Sequence, residues 1–239
     1  MPNKIAIVTG ATSGIGKEVT NRLSDKGFDV IATGRNQEKL QELYAKNKHV
    51  FCFVLDVTDK DNIKHFYHTI KADFKRVDVL INNAGVMYLS KVEAGEKDGW
   101  EEMINVNLRG LIYNTYQFID WIKEFNEGHI INIASLAGLR VLPERVVYSA
   151  TKSAVRSFSE GIRQEISEWN VRVTTISPGV VQTNILKHVT EKSIQEKINQ
   201  RKFKPLSPID IANAVIYAIQ QPDHVNVSEI VIRPVGQKY

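Results

Sequence analysis

The chain has 239 residues, 43% of them hydrophobic, and a formal net charge of +4 with both signs mixed throughout. That composition supports a full core and excludes a disordered chain, and without a basic block it argues against nucleic-acid binding. No apolar run approaches the ~20 residues of a membrane span, the first is too short for a signal-peptide core, and the lone Cys52 allows no internal disulfide.

These features read as a cytoplasmic protein that does not enter a membrane. Short β-rich runs alternate with longer helical patterns, with strands expected at 4–8, 29–33, 50–55, 79–81, 130–133, 172–176 and 230–232. Runs apolar on both faces, separated by crossover-length segments, predict an α/β fold. A parallel sheet is covered by helices on each side, in a single domain over 1–239.

The first turn reads Thr9-Gly10-Ala11-Thr12-Ser13-Gly14-Ile15-Gly16, between a strand and a helix beginning near Ile15. Glycines let the backbone pass close to a diphosphate, and a helix N-terminus offers it free N–H groups and positive potential. The spacing is G-x3-G-x-G, which departs from the common G-x-G-x-x-G fingerprint while keeping its physics. An NAD-binding chain should carry an acid at the end of the second strand. Gly34 stands there and Arg35 follows. A 2′-phosphate would explain that cation, so the pattern argues for NADP over NAD. Asn36 is placed to cap the helix that follows.

Asp56, in Leu55-Asp56-Val57, is placed to accept from an adenine amino group or to cap the next helix, for which Thr58 or Asp59 stands better. In Asn82-Asn83-Ala84-Gly85, small residues leave room for a ribose and the amides can tie strand ends together. Asn107 lies near the start of a segment, through Phe125, that is apolar on more than one face. Burial on two sides is expected, the second against another subunit. Asn107 can hold a water or bend the helix there.

Ser135 ends the apolar run before a turn, thirteen residues ahead of Tyr148. Tyr148 and Lys152 are four apart and share one helix face. An ammonium ~4 Å from the phenol, at an effective dielectric of ~20, favours the phenolate by about 4 kcal/mol. That moves a tyrosine toward a useful acid/base value, and the Ser135 hydroxyl can hold a substrate oxygen beside it. Pro178-Gly179-Val180-Val181-Gln182-Thr183 exposes backbone groups at the carboxyl end of a strand. The segment 184–205 reads as amphipathic helices over the cleft, either a substrate lid or a packed pair. His65 and His68 suggest no third ligand, so no metal is expected.

Together these residues resemble the short-chain dehydrogenase/reductase family in its single-domain branch. The resemblance rests on TGATSGIG at 9–16, DV at 56–57, NNAG at 82–85, Asn107, Ser135, YSATK at 148–152 and PGVVQT at 178–183. It implies a Rossmann-type, doubly wound, seven-stranded sheet and an oxidoreductase working with NADP/NADPH on a small alcohol or carbonyl compound. Tyr148 would be the acid/base, and Lys152 would lower its pKa and hold the nicotinamide ribose. Ser135 would position the substrate oxygen, and Asn107 would maintain a water-linked proton relay. The cofactor set implied is Gly10, Thr12, Ser13, Gly14, Ile15, Gly16, Arg35, Asp56, Val57, Asn83, Ala84, Gly85, Tyr148, Lys152, Pro178, Gly179, Val181 and Thr183, with Thr183 meeting the carboxamide. A homotetramer or dimer is implied too. The tail from Pro222 to Pro234 resembles bacterial NADP-dependent 3-hydroxy acid dehydrogenases of the serine and allo-threonine type. An acid substrate would want a cation in the cleft, and Arg140, Arg145, Lys187 or Arg201 can supply one. The competing reading is a regulatory or interaction protein that senses NADP(H) without turnover. The full Ser135, Tyr148, Lys152 and Asn107 set argues against it.

Overall fold

Seven short runs of branched aliphatic residues form the strands β1 (Ile5–Val8), β2 (Asp29–Gly34), β3 (Val50–Val54), β4 (Val79–Asn82), β5 (Gly128–Ile133), β6 (Val171–Pro178) and β7 (Glu229–Ile232). The computed structural model describes residues 3–189 and 192–238. All neighbouring strands pair in parallel, in the order β3-β2-β1-β4-β5-β6-β7. This is the doubly wound, seven-stranded Rossmann-type sheet expected, with strand ends differing by a residue or two. The order reverses between β1 and β4, and there a crevice opens at the carboxyl ends.

The helices are α1 (Gly14–Asp25), α2 (Gln37–Tyr44), α3 (Lys60–Asp73), α4 (Lys97–Ile104), α5 (Leu111–Lys123), α6 (Val146–Glu165), α7 (Lys192–Asn199) and α8 (Pro208–Ile219). Alternation along β1 sends Ala6 and Val8 to one face and Ile7 to the other. On the first face Val19, Leu23, Leu40, Ile211 and Val215 from α1, α2 and α8 cover the sheet. On the second, Ile63, Phe66, Phe118, Trp121 and Ile162 from α3, α5 and α6 do so. Each fully buried side chain of this size contributes roughly 1.5–3 kcal/mol relative to exposure.

Capping chemistry fixes where helices begin. Asn36 accepts the Lys39 N–H at 2.8 Å to start α2, and Asp59 accepts from Asp61 and Asn62 to start α3. Asp56 is thereby released from the capping role. Between α4 and α5 the chain makes a π-turn at Asn105–Gly110. Gly110 lies against Val57, whose carbonyl a Cβ would meet at 2.6 Å. The bend expected at Asn107 is this π-turn, a helix widening that is frequent beside functional sites. The second apolar face of α5 is only partly covered in the single chain. Leu108, Ile112 and Phe158 are partly buried around Leu111, Ala134 and Val155, while Tyr116 is 74% exposed.

Candidate active site

A cavity of about 610 Å³ runs along the carboxyl ends of the strands, from the first glycine turn to the segment after β6. Its floor is built by the turn after β1. Gly10 sits at φ +69°, where a side chain is strained. Gly16 has no room for a Cβ, which would run into the Gly10 carbonyl and the Asn83 amide. Asn83 Nδ2 donates to the Thr9 and Gly10 carbonyls at 2.8 and 3.2 Å. In return the Thr9 hydroxyl accepts the Asn83 and Ala84 N–H groups, each at 3.0 Å. The amide after β4 thus braces the turn after β1, as the tetrapeptide suggested. Asn82 does the same below, donating to Asn132 and Thr115 at 2.9 Å.

The open end of α1 faces this cavity. Ser13 is its N-cap, yet its side chain makes no capping bond and the first turn carries no acid. Gly14 and Ile15 line the cavity, so the first-turn N–H groups are available to an anion. At the end of β2, a Cβ on Gly34 would meet Thr12 Cγ2 at 2.7 Å. Thr12 therefore fills the place an acidic side chain would need. Arg35 lines the cavity with its guanidinium exposed, 3.8 Å from Glu102. Asp56 Oδ1 accepts from the Thr58 N–H and hydroxyl, and no bond to Oδ2 occurs among the described residues. Val57, Ala84, Gly85, Pro178, Gly179, Val181 and Thr183 line the same cavity. Thr183 packs against Gly14, where a Cβ would lie 3.1 Å from its methyl group. An uncapped helix N-terminus, a glycine floor and a cation without an opposing strand-end acid suit a phosphorylated dinucleotide.

Deeper in the cavity Tyr148 and Lys152 share the inner face of α6, only 6% and 4% exposed. Burial raises the Tyr148 pKa, while the Ser135 hydroxyl and the Arg145 charge pull it back. Ser135 stands at the end of β5, its hydroxyl accepting the Ala137 N–H at 3.1 Å. Lys152 Nζ donates to the Ile133 carbonyl at 2.8 Å, and burial lowers its pKa to about 8. The ammonium stands 6.0 Å from the Tyr148 ring centroid. Arg145, three residues earlier, adds a second cation whose charge acts on the phenol.

Asn107 is 1% exposed. Its Oδ1 accepts the Val86 N–H at 2.8 Å, and Nδ2 donates to the Val86 carbonyl at 2.9 Å and to the Thr151 hydroxyl at 3.3 Å. The side chain thus ties the π-turn to the loop after β4 and to α6, and reaches neither Tyr148 nor Lys152. Sequence reasoning did not single out Thr9 and Thr151 as braces, because a threonine's partners depend on which backbone ends the fold brings near. His65 and His68 are exposed on α3.

The segment 184–205 is rooted by backbone bonds from Gln182 N–H to the Leu206 carbonyl (2.8 Å) and from Leu206 N–H to the Val180 carbonyl (2.9 Å). Residues 190 and 191 lie outside the described residues. Val189 and Ile194 pack on Leu89, with Met87, Leu186 and Ile198 around them.

A family model described as short chain dehydrogenase matches residues 4–194. An uncharacterized oxidoreductase of Staphylococcus saprophyticus is 39% identical over 239 residues, covering 98% of this chain and 97% of that one. Among solved structures, the closed form of a serine dehydrogenase complexed with NADP+ superposes with a TM-score of 0.92 at 36% identity, covering 98% of this chain and 96% of its own. Serine dehydrogenase from Escherichia coli gives 0.86 at 35% identity, covering 98% and 100%.

Proposed function

The chain belongs to the short-chain dehydrogenase family, and on that premise we propose an NADP(H)-dependent oxidoreductase acting on the CH–OH group of a small alcohol, or on the matching carbonyl. The observation that carries this reading is the meeting of Tyr148, Ser135 and Lys152 at one end of a cavity whose other end is an uncapped helix N-terminus. The NADP choice is supported by Arg35, by the glycine in place of an acid at the end of β2, and by the NADP+ held by the similar serine dehydrogenase.

When bound, NADPH supplies hydride for reduction and NADP+ accepts it in oxidation. The glycine turn from Gly10 to Gly16 and the α1 N-terminus would hold the diphosphate, Arg35 the 2′-phosphate, Asp56 and Val57 the adenine end, and Asn83 to Gly85 the ribose. Lys152 would hold the nicotinamide ribose and Thr183 would meet the carboxamide, with Pro178, Gly179 and Val181 beside it. In reduction Tyr148 gives its phenolic proton to the substrate oxygen, which Ser135 keeps in place by hydrogen bonding. In oxidation the phenolate takes the alcohol proton. Asn107 is a positioning residue: its side chain is committed to Val86 and Thr151, so a relay water beside it would rest on main-chain groups.

Among alcohols, a 3-hydroxy acid is the substrate class we favour, supported by the likeness to serine dehydrogenases. The segment 184–205 is proposed as a lid on a single catalytic domain, and the partly covered faces of α5 and α6 as the seat of a homo-oligomer in the cytoplasm. The test follows NADPH and NADH absorbance against small ketones and aldehydes, and NADP+ reduction with 3-hydroxy acids including serine and allo-threonine. NADP-dependent turnover, lost in Tyr148→Phe with NADPH binding retained, is the expected result. Turnover with NADH alone overturns the cofactor reading. Retained turnover in Tyr148→Phe overturns the acid/base assignment. Tight NADPH binding with no turnover of any of these compounds returns the sensor reading.

A further inference from the structure

Two half-buried arginines, Arg145 and Arg201, line the cavity that holds Tyr148. Arg145 is the N-cap residue of α6, where its side chain makes no capping bond. A cation at a helix N-terminus is disfavoured by the helix dipole. Arg201 follows α7 and enters the same cavity. Neither arginine's side chain makes an ion pair or a hydrogen bond among the described residues, although each fork has five N–H donors to satisfy. Asp56, the carboxylate in the cavity wall, stands at the end of β3, beside the glycine turn. Glu144 neighbours Arg145 in the chain, and its charge acts on that arginine. Both arginines line one cavity, burial pulls both below their usual range, and the Arg145 charge further lowers Arg201. Arg140 and Lys187, which also line the cavity, are exposed.

We infer that Arg145 and Arg201 form a two-pronged oxyanion site that seats the carboxylate of a hydroxy or oxo acid with its reacting oxygen at Tyr148 and Ser135. This rests on the oxidoreductase reading above and deepens it by naming the residues that choose an acid over a neutral alcohol. Guanidinium forks bind a carboxylate through paired N–H bonds, and an incoming anion relieves both the mutual repulsion and the unmet donors. One arginine stands at the start of α6 and the other just after α7, so a single anion bridges two parts of the chain.

The test compares Arg145→Gln, Arg201→Gln, their double variant and Arg145→Lys with the unaltered protein. Kinetics are measured on a 3-hydroxy acid, on its methyl ester and on a neutral ketone. Each glutamine variant is expected to lower kcat/KM for the acid about 10- to 100-fold, mainly through KM, the size of a lost charge-assisted hydrogen bond. Ester and ketone turnover should stay within a few-fold in Arg201→Gln, whose charge does not act on the phenol, and Arg145→Lys, which keeps a cation beside Tyr148, should recover part of the loss. Calorimetry with malonate as an unreactive probe should show binding that vanishes in the double variant while NADPH affinity is unchanged. Equal losses on acid and ester in Arg201→Gln, malonate binding that survives the double variant, or turnover of neutral compounds with none of acids would overturn the site. Preferential turnover of phosphorylated alcohols over acids would also overturn it. If instead the oxidoreductase reading fails, the ketone is not turned over by any form of the protein, whatever malonate does.

Discussion

The two ends of the parallel sheet use the same kinds of charged residue in opposite ways. At the amino ends, Arg76 pairs with buried Asp78, whose other oxygen accepts the Ile5 N–H at 2.7 Å. Lys4 meets Glu127 at 2.7 Å, and Arg172 donates to the carbonyls of Ala218, Ile219 and Gln221 at the end of α8, where a cation suits the dipole. His129 is bonded to the Thr174 hydroxyl at 2.7 Å and kept neutral, its pKa pushed down to about 3 by burial. At the carboxyl ends, Ser13 makes no capping bond, the Arg145 and Arg201 side chains make no ion pair among the described residues, and Lys152 donates to the Ile133 carbonyl. Charges satisfied within the chain hold the sheet together, and charges left over mark where a ligand completes the structure.

If that contrast is right, substitutions at the carboxyl end should cost activity and those at the amino end stability. The largest effect is expected from Tyr148→Phe, about a thousandfold in kcat, the usual worth of a positioned proton donor. Thermal denaturation should move by no more than a few degrees, and a collapse of the fold would break the comparison.

Next comes His129. Its folded pKa lies below the ~6.5 of an unfolded histidine, so between those values the unfolded chain binds the extra proton. Stability is complete above pH 6.5 and lost as pH falls toward 3. By pH 4 the loss should reach about 3 kcal/mol in urea titrations, and His129→Gln should not show it. Parallel curves for the two proteins would remove histidine from the account.

Lys152 sharpens the contrast from the other side. Its folded pKa of about 8 is depressed, so the charged form is penalised in the native state at neutral pH. Between pH 8 and the unfolded value near ~10.4 the unfolded chain holds the extra proton, and native stability rises with pH. Measured against Lys152→Met, the native protein should gain about 2 kcal/mol from pH 7 to pH 9.5. A flat difference would mean that the ammonium is better solvated than its burial implies. The smallest effect belongs to the exposed Lys4–Glu127 pair, where Lys4→Ala should cost less than about 1 kcal/mol and fade with added salt.

Much of this was legible in the chain itself. The spacing of apolar runs gave seven strands because a parallel sheet buried on both faces needs continuous aliphatic segments. The glycine turn was legible because Gly10 and Gly16 answer local demands of the backbone, a positive φ and a close approach. Tyr148 and Lys152 share a face because a helix brings residues four apart together.

Side-chain direction was another matter. Helical spacing put Lys152 and Tyr148 on one face, but that the end of β5 offers the ammonium the Ile133 carbonyl, and that Arg145 adds its charge beside the phenol, was not legible. Asn107 was legible as a bend, but its bonds to Val86 and Thr151 join segments that only the sheet order brings together. Of four candidate cations, tertiary packing alone half-buried Arg145 and Arg201 and left Arg140 and Lys187 in solvent. Periodicity and turn chemistry act over a few residues and are written in sequence order. Counter-ions and buried partners are chosen across the folded chain, where neighbours in space are far apart along it.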